Sequence, residues 1–115
     1  MNEYERLKQA FDNFIVSSEP VPVGYIKYKG RSRRYVTYTF TSDTPRLFGD
    51  NKEIGSVISV DVDIYSDRNF LDIEDQVEVV MESNDYIRVG SSPDMYEEET
   101  GLYHKTLEFE KERFR

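Results

Sequence analysis

The ten residues SVISVDVDIY, 56–65, constrain the fold more than any other stretch of this chain. Ile58, Val60, Val62 and Ile64 alternate with Ser59, Asp61, Asp63 and Tyr65. Successive side chains of an extended strand point to opposite faces, so this segment has one apolar and one polar face. Such a strand suits a sheet with one face against a core and the other in water. That is the habit of antiparallel sheets, whereas parallel strands are buried on both faces.

The flanking segments supply the cover. In SDRNFLDIEDQVEVVMES, Phe70, Ile73, Val77, Val80 and Met81 fall on one helical stripe, with Asp72, Glu74, Asp75, Glu78 and Glu82 mostly outside it. Ser66 or Asp67 is the expected cap. A first helix is expected over residues 2–15, where Tyr4, Leu7, Phe11 and Phe14 share a face, and the prolines of SSEPVP end it. VGYIKYKGRSRRYVTYTFTS reads as a hairpin turning at KGRSR, with Val36, Tyr38 and Phe40 toward the core. SDTPRLFGDNKEIGS reads as a long irregular loop, mobile in the free chain, carrying Leu47 and Phe48 with no core to join. DYIRVGSS and LYHKTLEFEKE read as two further strands joined by an acidic loop. The expected order is α-β-β-β-α-β-β: an α+β fold with two helices on a mostly antiparallel sheet of about five strands.

A chain of 115 residues fits one domain, 1–115. Its 14% aromatic content opposes disorder despite 33% charged residues. A net charge of −8 repels nucleic acid and anionic membranes unless basic residues cluster. The absence of Cys excludes disulfides, thiolate metal sites and thiol nucleophiles. The charged start MNEYERLKQAF lacks a signal-peptide core, and no apolar run reaches membrane-spanning length, so a cytoplasmic setting and no membrane partner are expected.

Chemistry-bearing residues are few. Asp61 and Asp63 share a strand face about 6–7 Å apart, a spacing that some metal or acid/base pairs use, but alternation alone already requires polar residues there, so the solvated face of the strand is the preferred reading. His104 is the chain's single histidine. Strand parity puts it with Thr106, Glu108 and Glu110, away from Leu107 and Phe109. No serine lies in a nucleophile-elbow motif. Asp94, Glu97, Glu98 and Glu99 lack the ligand spacing of a calcium loop and read as a hairpin tip. No phosphate loop, zinc signature or cofactor box is present, so no enzyme, metal or cofactor is expected. Lys27, Lys29, Arg31, Arg33 and Arg34 cluster within eight residues. Three readings fit them: a nucleic-acid-binding regulator, a solvated turn, or a contact with the acidic residues 94–99 of another copy.

The strand ending VDIYS, the amphipathic helix after it, and DMYEEETGLYHK leading into a last strand resemble the small tail-completion or tail-terminator proteins of long-tailed phages and of prophages in Gram-positive bacteria. MYEEETGLYHK is the most specific part. VPVGYIKYKG, YVTYTF and FGDNKEIGS agree at the level of pattern, so the resemblance covers nearly the whole chain. It implies a structural, non-catalytic role. Such a protein caps the tail tube and joins it to the head connector as a ring, generally a hexamer, around DNA that passes without specific binding. Its partners would be further copies of itself, the tail tube protein and the connector protein, in the host cytoplasm during assembly and in the virion tail. The basic segment, the acidic tip with Tyr96, the return strand with Tyr103 and His104, and the anchors Leu47 and Phe48 are the expected interface residues.

Overall fold

The structure, a computed structural model, describes residues 2–48 and 52–114, with the side chains of 46–48, 52–54 and 114 left aside. In chain order it contains α1 (Glu3–Ala10), β1 (Ile15–Val16), β2 (Glu19–Pro20), β3 (Val23–Tyr25), β4 (Arg34–Phe48), β5 (Lys52–Ser66), α2 (Leu71–Glu82), β6 (Ile87–Ser91), β7 (Met95–Glu97) and β8 (Leu102–Phe114). The short β1 and β2 pair with each other. The main sheet runs β3-β4-β5-β8-β6, with β7 also beside β8, and every pairing but β3–β4 is antiparallel. This is the expected α+β architecture.

The alternation of β5 sets the layers. Ile58, Val60, Val62 and Ile64 are buried, with Val36 and Tyr38 of β4 on one side and Leu107 and Phe109 of β8 on the other. Leu7 and Phe11 at α1 and Ile73, Val77 and Met81 of α2 join the same core. Both helices therefore cover one face, and among the described residues no helix lies on the face carrying Tyr35, Asp61, Asp63, Tyr65 and His104.

Three expectations are corrected. The first concerns the hairpin over residues 23–41. Strands β3 and β4 are parallel, with Val23 beside Val36 and Tyr25 beside Tyr38. The chain turns at Ile26, not at Gly30. The Lys27 N–H donates to the Tyr25 carbonyl at 2.8 Å, a three-residue turn with Ile26 at φ 69°. Residues 26–33 then carry the chain back, so that the Val36 N–H meets the Pro22 carbonyl at 3.0 Å. Aromatic and β-branched content marked both arms correctly but says nothing about direction.

The second is the long loop. Pairing of β4 with β5 runs from Arg34–Ser66 to Phe48–Lys52, with irregularities after Phe40 and after Arg46. Residues 43–48 and 52–55 are thus strand. Beyond Tyr38 no strand among the described residues lies on the other side of β4, and an edge strand tolerates Pro45. Residues 49–51 and the side chains of Leu47 and Phe48 lie outside the described residues.

The third is the helix boundaries. Ser66 ends β5 instead of capping α2, which starts at Leu71 and has no side-chain cap at Phe70. Asn69 Oδ1 accepts the Leu71 N–H at 2.9 Å, and Asp72 Oδ1 accepts the Ile73 N–H at 2.8 Å. Asn2 caps α1 through the Glu5 N–H at 2.8 Å. That helix stops near Ala10 because Asn13 takes a left-handed conformation, φ 54°. Phe14 reaches the core from the following turn.

Candidate functional site

The open face of the sheet holds the most organised set of polar and aromatic side chains. Register aligns Tyr35, Tyr65, His104 and Met95 in a row across β4, β5, β8 and β7. Tyr28, from the loop before β4, adds a ring at the near end. Tyr28–Tyr35, Tyr35–Tyr65 and Tyr65–His104 stack with centroids 4.6, 4.6 and 4.3 Å apart. Cross-strand aromatic pairs of this kind stabilise a sheet by packing face on face. The loop is fixed to the stack, because the Tyr28 hydroxyl oxygen accepts the Ser32 N–H at 2.9 Å.

Carboxylates flank the stack. His104 Nε2 is 3.1 Å from Asp63 Oδ1, and its Nδ1 is 3.5 Å from Glu97 Oε1. The Thr106 hydroxyl donates to the same Asp63 oxygen. Burial, followed by Asp63, Tyr35 and Glu97, pushes the Tyr65 phenol up to about 12, so it stays neutral. Burial, then Glu108 and Asp63, raises the Asp61 carboxyl. His104 thus lies on the face that strand parity assigned it. Its ring is held by stacking and by two acids, and Thr106, the nearby hydroxyl, is committed to Asp63. Among the described residues no group of three or more acidic, histidine or cysteine side chains is placed to hold a metal.

The five-cation cluster divides. Lys27, Lys29 and Arg31 are exposed on the loop, with no acid partner among the described residues. Arg34 is only 7% exposed, so it is not part of a contact surface. Its guanidinium meets Asp72 at 2.6 Å, Ser66 Oγ at 3.1 Å and the Asn69 carbonyl at 3.3 Å. Arg33 is also engaged. Its Nη2 donates to the Thr100 carbonyl at 2.7 Å, and its Nε is 3.8 Å from Asp67.

The Arg33 contact brings the basic segment and the acidic tip together within one chain, the loop 26–33 against the β7–β8 turn. That turn closes through the Gly101 N–H and the Glu97 carbonyl at 2.8 Å, with Gly101 at φ 71°. Glu98 and Glu99 are exposed on it, and Asp94 pairs with Lys105 at 3.2 Å. Tyr96 and Tyr103 are exposed and contact each other at 4.9 Å.

Sequence reasoning missed Tyr28, Tyr35 and Tyr65. Alternation already put Tyr35 and Tyr65 off the core face, but their stacking needs the register between strands. No protein-family model matches the chain, and no curated protein matches it. Among the described residues no helix is long and apolar enough to cross a membrane.

Proposed function

We propose that this protein is a structural subunit of a ring that caps a phage tail tube and joins it to the head connector. The observation that carries the reading is the β4–β5 ribbon. Its two strands of 15 residues each reach about 50 Å at normal strand rise, matching the 53 Å long axis of a molecule only 27 and 23 Å across. β8 flanks β5 from Gly55 to Ser66, so only the far end of the ribbon, Leu47–Phe48 with Lys52–Glu53, is two-stranded. Such an end is marginal alone and gains cover from neighbouring subunits. The open, stacked sheet face and the exposed Tyr96 and Tyr103 suit a scaffold that makes contacts. The resemblance of MYEEETGLYHK and its flanking strands to tail-terminator proteins points the same way. The role has no catalytic step and no cofactor. DNA passes through an acidic ring without being held.

Electron microscopy of the protein alone and mixed with tail tubes tests this. Rings, or tubes with closed ends, are the expected images. Uncapped tubes and no rings at high protein concentration overturn the reading. A regulator that binds nucleic acid through residues 27–34 has less support, since Arg33 and Arg34 are engaged inside the chain. It predicts a mobility shift with DNA that disappears steeply with salt.

A further inference from the structure

The two edges of the sheet differ in a way that identifies how copies meet. At the β3 edge, α1 and β3 leave a hollow of about 290 Å³ lined by Tyr4, Val23, Tyr25 and Tyr38, with Lys8 and Asp12 at its rim. Ile26 stands beside it, 59% exposed. A β-branched residue at φ 69° is strained, and in the single chain little packing offsets that strain. Lys27 and Lys29 follow it. At the opposite edge, β6 presents Ile87 and Val89, 65% and 49% exposed. Asp85 and Glu110 flank Ile87, and Glu108 and Glu110 flank Val89. One edge is a hollow walled by tyrosines and bordered by lysines, and the other carries two exposed apolar side chains that stand among acids on the open face of the sheet.

We infer that the β6 edge of one copy packs against the β3–α1 edge of a second copy, Ile87 and Val89 entering the hollow beside Ile26. Charge fixes the pairing. Like edges meeting would set lysine against lysine or acid against acid, whereas unlike edges set Lys8, Lys27 and Lys29 against Asp85, Glu108 and Glu110. Contact between unlike surfaces repeats from copy to copy and closes into a ring when the rotation allows. Side chains make this contact, not an added strand, because the turn at Ile26 already occupies the Tyr25 carbonyl. The inference rests on the ring reading above and names its interface.

The cysteine-free chain makes a direct test possible. Ile26 and Ile87 lie four inter-strand steps apart, about 19 Å, too far for a disulfide within one molecule. Ile26→Cys and Ile87→Cys variants are purified, mixed in equal amounts and mildly oxidised. The expected product on a non-reducing gel is a dimer from the mixture, at least ten times more abundant than from either variant alone. The double variant should give a ladder ending at the ring. Equal cross-linking by one variant alone overturns the inference in favour of like-with-like contact. No cross-linking in the mixture at millimolar protein overturns it outright. The Glu108→Lys and Glu110→Lys changes placed in the Ile87→Cys chain should abolish the mixed dimer at low salt, and an undiminished yield also counts against it. Rings without the 26–87 bond reject this contact and leave the ring reading intact. The bond with neither rings nor capped tubes does the reverse.

Discussion

Arg34 shows how one residue can be misjudged by its neighbours in sequence. It sits among exposed cations, yet its own guanidinium fills the gap between the end of β5 and the start of α2. Ser66 Oγ, fully buried, accepts from it, and Asp72 lies 2.6 Å away. Removing the guanidinium leaves Ser66 Oγ with the Arg68 N–H alone, at 3.2 Å, and Asp72 short of its counter-ion. Asp72 keeps partial access to water, so the loss falls at the low end for a broken buried pair. Arg34→Met should lower unfolding stability by about 3 kcal/mol in urea titration. Asp72→Asn made in that background should cost under about 1 kcal/mol more, because its partner is already gone. Additive losses would show that the two side chains act separately.

At the scale of elements, the short turn after β3 carries the main departure from expectation. Ile26 looked like a strand residue because β-branched side chains favour strands. Its φ of 69° is the conformation glycine takes without strain. Ile26→Gly should therefore raise the stability of the single chain by about 1 kcal/mol, and thermal unfolding measures it. The same change should weaken association through the β3 edge. A destabilised Ile26→Gly chain would mean that this side chain packs in the monomer. The alternation in β5 and the stripe of α2 were legible because burial on one face imposes a period on the sequence. The parity of His104 was legible for the same reason. The direction of β3, the extent of β4 through Pro45, and the Tyr28–Tyr35–Tyr65–His104 stack were not. Each depends on which strand lies alongside, and one strand's pattern does not record its neighbour.

At the scale of the molecule, carboxylates tie both helices to the sheet, and Glu74 and Glu78 of α2 add pairs with Arg88 of β6 and Lys105 of β8. Asp72 of α2 meets Arg34 of β4. Glu3 of α1 meets Lys111 of β8 at 3.0 Å and accepts the Tyr86 hydroxyl at 3.0 Å, linking residues 108 positions apart in the chain. Burial alone would raise both carboxyls, but the bonds from Lys111 and Tyr86, and from Arg34 and Ile73, hold both below their ordinary values of 4.5 and 3.8. A carboxyl depressed on folding stabilises the fold fully above its unfolded pKa. That contribution is lost as pH falls through the lower folded value. Acidification also relieves the repulsion of a −8 chain, which opposes this loss and blurs the total curve. Comparison with Glu3→Gln separates the two, since both chains share nearly all of the general charge effect. Native protein should exceed Glu3→Gln by about 1–2 kcal/mol at pH 6 in urea unfolding. The gap should narrow as pH falls below the ordinary carboxyl value of 4.5 and close once Glu3 is protonated in both folded and unfolded chains. A gap independent of pH would mean that Glu3 holds α1 by shape and packing alone, with its charge contributing nothing to the joint.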